Sequence, residues 1–143
     1  MDDIVIERIY PFSPEQIWDA LTDPSALADW LMPGDFKPVV GHHLQFQCEP
    51  GHEYDGTVDV IILKVEKARL LSYSWKTSNM QKPTTVTFSL TPTSGGTLLR
   101  LEHRGFEGDS GKVMHPIFKN GWGEKLTTQL GPAIERLVKS KMN

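Results

Sequence analysis

The sequence predicts an α+β domain: a run of antiparallel strands followed by one long C-terminal helix. Three observations predict it. Between Leu44 and Arg104 apolar residues alternate with polar ones, the period of half-buried strands. Between Met114 and Val138 they recur every four or three residues, the period of an amphipathic helix. Gly and Pro fall singly between these segments, with no repeat, linker or low-complexity tract, so residues 1–143 read as one domain.

Taken in order, Ile4 to Tyr10 is short and β-branched and forms a first strand. A helix start follows. Ser13 caps, Pro14 suits the first helical position and Gln16 completes a capping box, with Phe12 and Ile17 as the hydrophobic staple. This helix should run to Leu21. Asp23-Pro24 repeats the cap-plus-proline signal for a second short helix through Ala28 to Trp30. Leu44, Phe46 and Cys48 then alternate with Gln45, Gln47 and Glu49. Tyr54 to Val65 turns apolar on both parities after Val58, which predicts a strand packed on both sides or one carrying a bulge. Leu71, Tyr73 and Trp75, then Val86, Phe88 and Leu90, then Leu99, Leu101 and His103 complete the meander. Ser94-Gly95-Gly96 supplies the positive φ angles of a tight hairpin before the last of these. The final stripe is Met114, Phe118, Trp122, Leu126, Leu130, Ile134 and Leu137 or Val138. Pro132 costs about 3 kcal/mol inside a helix and should kink the rod near Thr128.

Composition narrows the function classes. Fifteen basic and 18 acidic residues give a net charge of −3, which argues against a nucleic-acid partner. Cys48 is the single cysteine, so no disulfide framework exists and a reducing, cytoplasmic setting is expected. No apolar run approaches the roughly 20 residues of a membrane span. The start Met1-Asp2-Asp3 is acidic where a secretory signal is basic. What stands out is the aromatic complement of four Trp, six Phe and three Tyr, which must fill a core, line a cavity or form a patch.

Six motifs in this order carry a resemblance. They are Ser13-Pro14-Glu15-Gln16-Ile17-Trp18-Asp19-Ala20-Leu21-Thr22, Leu27-Ala28-Asp29-Trp30 followed by Pro33, Tyr54-Asp55-Gly56-Thr57-Val58, Leu71-Ser72-Tyr73-Ser74-Trp75, Gly95-Gly96-Thr97, and Gly121-Trp122 within the helical stripe. Together they resemble the START/birch-pollen-allergen-like (SRPBCC) superfamily, and within it the branch named after the activator of the heat-shock-protein-90 ATPase. The sequence departs from that pattern at Lys37-Pro38 and Gly41-His42-His43, where similar sequences often carry an arginine and paired glycines. The resemblance implies a helix-grip fold: a curved antiparallel sheet of six strands wrapped around the long C-terminal helix, with two short helices after the first strand and a cavity between sheet and helix.

Candidate chemistry is sparse. His42 and His43 are adjacent, so on a strand they point to opposite faces; even with His52 they read as solvated loop residues rather than metal ligands. His103 shares the inward parity of Leu99 and Leu101, and His115 lies at the edge of the helical stripe; either can titrate near neutrality. Glu102 alternates outward, and Glu107 and Asp109 sit in the glycine-rich segment 105–111, so no carboxylate pair converges. Cys48 reads as a buried structural thiol. No metal or cofactor is expected.

The aromatics are the better clue. Trp30, Phe46, Tyr73, Trp75, Phe88, Phe118 and Trp122 fall on inward positions, and with Tyr54 and His103 they form the expected lining of a ligand cavity. Segments 32–43 and 105–112 would gate it. The leading expectation is binding of a small apolar, aromatic or lipid-like ligand, with His103, Tyr73 or Tyr54 orienting its polar end. The alternative is an enzyme of the polyketide cyclase/dehydratase type, for which His103 is the one nominated acid–base group. A module that stimulates a chaperone ATPase ranks last, because no separate chaperone-binding domain is read in the chain. A homodimer is compatible with all three.

Overall fold

The computed structural model describes residues 2–51 and 54–142. Six strands form one antiparallel sheet: β1 (Ile4–Tyr10), β2 (His43–Gln47), β3 (Thr57–Glu66), β4 (Leu70–Thr77), β5 (Thr84–Thr93) and β6 (Gly96–Arg104). Their spatial order is β1-β6-β5-β4-β3-β2, so the meander β2 to β6 is closed at one edge by the first strand. Two short helices, α1 (Pro14–Thr22) and α2 (Pro24–Trp30), follow β1. The chain ends in a rod made of α3 (Gly108–Glu124), one wide π turn (Lys125–Gln129) and α4 (Leu130–Lys141). This is the curved sheet and long C-terminal helix of the helix-grip arrangement.

Local chemistry explains the short helices. Ser13 Oγ accepts from the Gln16 amide at 3.2 Å while Gln16 Oε1 accepts from the Ser13 amide at 2.9 Å, the reciprocal capping box. Asp23 caps α2 by accepting from the Ala26 amide at 2.9 Å. The Trp30 indole donates to the Ala20 carbonyl at 2.9 Å, so α2 is locked back onto α1. β3 takes the bulge of the two readings the sequence left open: its register against β4 shifts between Ile62 and Lys64, and Ile61 and Leu63 turn outward to solvent.

Met114, Phe118, Trp122, Leu126, Leu130 and Ile134 are all buried, as their spacing predicts. Each contributes about 1.5–3 kcal/mol by leaving water. A spacing of four drifts by about 40° per step around a 3.6-residue helix. The π turn, where the Leu130 amide bonds to the Lys125 carbonyl, absorbs part of that drift and keeps the stripe against the sheet. The disturbance expected from Pro132 thus takes the form of a wide turn, and the rod remains continuous. β1 clamps it: the Tyr10 hydroxyl donates to the Leu126 carbonyl at 2.6 Å, and Arg8 donates to Thr127 Oγ1 at 3.2 Å. The segment from Gly108 to Lys112, expected as a loop, is the first turn of α3.

No helix among the described residues is long and apolar enough to cross a membrane.

Candidate functional site

A half-open cleft of about 460 Å³ lies between the long helix and the β2–β4 end of the sheet. The helix supplies Ile117, Phe118, Gly121 and Trp122, and β4 supplies Trp75. Leu31 and Met32, just past α2, close one side. Cys48 and Tyr54, from the connection between β2 and β3, close the other. Asn120, Glu124 and Lys125 complete the polar part of the lining. Gly121 borders the open space: a Cβ there would meet no atom within 4 Å.

The corner holding Cys48 and Tyr54 is set by Gly56. Its φ of +89° suits glycine, and a Cβ at that position would stand 2.2 Å from the Cys48 carbonyl oxygen. The Cys48 amide donates to the Gly56 carbonyl at 2.8 Å. The Cys48 thiol lies 3.3 Å from the Tyr54 hydroxyl. Burial and then the Cys48 contact push the Tyr54 phenol above its ordinary pKa.

Two donors in the lining are poorly matched. The Lys125 ammonium donates to the Leu31 carbonyl at 3.4 Å, and burial pulls its pKa below the ordinary value while Glu124 pulls the other way. The Trp75 indole N–H is buried and has no acceptor among the described residues.

Of the nine residues expected to line a cavity, Tyr54, Trp75, Phe118 and Trp122 line this cleft. Trp30, Phe46, Tyr73, Phe88 and His103 pack behind it as filled core. Tyr73 stacks on Trp75 at 6.4 Å and meets Phe36 edge-on at 5.9 Å; Trp30 meets Phe88 edge-on at 6.4 Å. Burial raises the Tyr73 hydroxyl above its usual pKa.

His103 is bound on both ring nitrogens. Thr84 Oγ1 donates its one proton to the Trp75 carbonyl at 2.9 Å, so at 2.6 Å it accepts from His103 Nε2–H. His103 Nδ1 in turn accepts from the Trp122 indole at 3.0 Å. Burial, with a smaller push from His115, takes its pKa down to about 3. The ring is a neutral strut joining β5, β6 and the helix, and neither nitrogen is free to take a ligand's proton.

The remaining polar candidates are dispersed. His42 Nε2 lies 2.6 Å from the Asp35 carbonyl and His43 Nε2 lies 3.0 Å from Asp59. His52 lies outside the described residues. His115 Nε2 lies 2.8 Å from the Asp2 carbonyl. Glu102 pairs outward with Arg100 and Arg104 at 2.7 Å each. No group of three metal-ligating side chains converges among the described residues.

Three positions depart from the sequence reading. Cys48 is exposed at the cleft mouth instead of buried, because inward parity at the end of β2 points into open space. Segment 32–43, read as a gate, is held at several points. Phe36 is buried against Phe46 and Tyr73, the Gln47 amide donates to the Pro33 carbonyl, and the Gly41 amide donates to the Ile62 carbonyl. Lys125 was not singled out, although it follows Phe118 by seven residues and Trp122 by three, on the same helix face.

Comparison with known proteins agrees with this architecture. A Mesorhizobium loti protein of solved structure superposes with a TM-score of 0.83 at 36% identity, covering 94% of this chain and 98% of its own. A Bacillus halodurans protein gives 0.76 at 25% identity, covering 94% and 97%. The Aha1 dimer from Colwellia psychrerythraea gives 0.72 at 22% identity, covering 88% and 91%, a likeness of fold alone. No curated protein matches the chain. The family model described as "Activator of Hsp90 ATPase homolog 1-like protein" matches residues 11–135, and the chain belongs to that family.

Proposed function

We propose that this protein binds a small, largely apolar molecule in the cleft between the long helix and the sheet. The observation that carries the reading is a space of about 460 Å³ with Met32, Trp75, Ile117, Phe118 and Trp122 in its walls, beside an aromatic core that is otherwise filled. That volume falls within the range of small-molecule sites, and an apolar lining with few polar groups is their usual composition. Apolar burial would supply the affinity, at roughly 25 cal/mol per Å² removed from water. Tyr54, at the mouth, would orient a polar end; His103 and Tyr73 are committed to the core. With both His103 nitrogens engaged, the cyclase-type alternative lacks the acid–base group nominated for it. The exposed free thiol of Cys48 fits a reducing, cytoplasmic setting for such a binder. The Colwellia psychrerythraea protein was solved as a dimer, and sedimentation would establish whether this chain shares that state.

The test is thermal. A ligand present at one hundred times its Kd adds about 2.7 kcal/mol, a rise in Tm on the order of 10 °C for a domain of this size. A library of alkyl and aromatic compounds should contain members that stabilise the native protein. The same members should fail on Gly121→Leu, whose side chain grows into the open space while the fold is kept. Equal stabilisation of both proteins, or none of either, refutes the reading.

A further inference from the structure

We infer that the cleft selects an amphiphilic acid, a molecule with an apolar body and one anionic group, and that Lys125 holds the anion. This rests on the cleft being a binding site and adds the chemistry of its occupant.

Removing a cation from water is costly unless an anion or several acceptors replace the lost solvent. Lys125 has three donors, and the contact shown for it is one long bond to the Leu31 carbonyl at 3.4 Å. Glu124 is its neighbour in sequence and shares the lining, yet no carboxylate oxygen comes within 4 Å of the ammonium among the described residues. Glu124 itself is exposed. The Tyr54 phenol, also in the lining, is pushed above its ordinary pKa by burial and stays neutral at pH 7. Among the described residues the charge therefore stands beside an apolar space with no carboxylate in contact, Glu124 acting on it only from a distance.

Two further features agree. The π turn begins at Lys125, one turn beyond the cleft-lining Gly121 and Trp122, and is held from behind by Tyr10. Such wide turns recur at functional sites, where they reorient a helix face. Trp75, also in the lining, has a buried indole N–H with no acceptor among the described residues. An occupant bearing an anionic group supplies the acceptors that the ammonium lacks; a pure hydrocarbon does not.

Titration calorimetry at neutral pH with dodecanoate and 1-dodecanol tests this directly. The two chains are equal in length, and a carboxylate is far better hydrated than an alcohol, so an apolar cleft lacking a cation favours the alcohol. The native protein should bind dodecanoate at least tenfold more tightly than dodecanol. Lys125→Met should abolish that preference, bringing the ratio of dodecanoate to dodecanol affinity to one or below, and Lys125→Arg should retain it. Dodecanol binding as tightly as dodecanoate to the native protein overturns the acid selectivity and leaves the binding cleft standing. A preference that survives in Lys125→Met overturns the role of Lys125. Binding of neither probe overturns both.

Discussion

Lowering the pH should destabilise this protein through His103 in a way that one substitution can isolate. In the folded chain the ring is neutral, giving Nε2–H to Thr84 and accepting the Trp122 indole on Nδ1, with its pKa pressed down to about 3. In the unfolded chain an ordinary histidine titrates near 6.5. Below that value the unfolded state binds a proton that the folded state refuses. Stability from this group is therefore complete above pH 6.5 and is lost as the pH falls toward 3, at about 1.4 kcal/mol per pH unit. Between pH 7 and pH 4.5 the loss is about 3 kcal/mol, a sizeable part of a typical 5–15 kcal/mol total. The assay is urea unfolding at both pH values for the native protein and for His103→Gln, which can keep one donor and one acceptor without titrating. The exposed carboxylates and the other histidines are common to both proteins and cancel in the comparison. The native protein should lose about 3 kcal/mol more than the variant. Parallel losses, within about 0.5 kcal/mol, would mean that His103 titrates normally and that the neutral strut is wrong.

Other substitutions probe the surroundings of the cleft. Gly56→Ala forces a Cβ against the Cys48 carbonyl at a φ of +89°, and should cost at least about 2 kcal/mol in denaturant unfolding and weaken binding at the displaced Cys48–Tyr54 corner. Gly121→Ala, with no atom within 4 Å of the new methyl, should stabilise the helix by about 1 kcal/mol, read as a higher Tm. Ala68 has a φ of +63° in the turn between β3 and β4, so Ala68→Gly should gain about 0.5–1 kcal/mol, relieved strain exceeding the added freedom of the unfolded chain.

The elements set by local rules were legible from the residues. Ser13 and Gln16 signal a helix start because the capping box is a contact within one turn, and the six-membered stripe from Met114 to Ile134 signals a buried face because burial follows period. The site was half legible. Parity identifies inward positions, but it does not distinguish a core from a cavity, since both lie on the concave side of the sheet. Phe46 and Tyr73 therefore looked equivalent to Trp75, and Cys48 looked buried. Phe36 was hidden in a segment rich in Pro and Gly, where no periodicity exists to mark its one buried ring. Lys125 was hidden by its charge, which ordinarily marks a solvated helix face; the i, i+3 and i+7 relation to Phe118 and Trp122 was the available signal.

Occupation of the space beside Gly121 by a small molecule can be observed residue by residue. Titrating the isotopically labelled protein with dodecanoate and following backbone and indole N–H resonances tests it most directly. Shifts should concentrate at Met32, Cys48, Trp75, Ile117, Gly121 and Lys125, with the Trp75 indole moving more than the Trp122 indole already bonded to His103. Shifts gathered instead on the outer face of β3 around Ile61 and Leu63, or no shifts at any concentration below micelle formation, would contradict it.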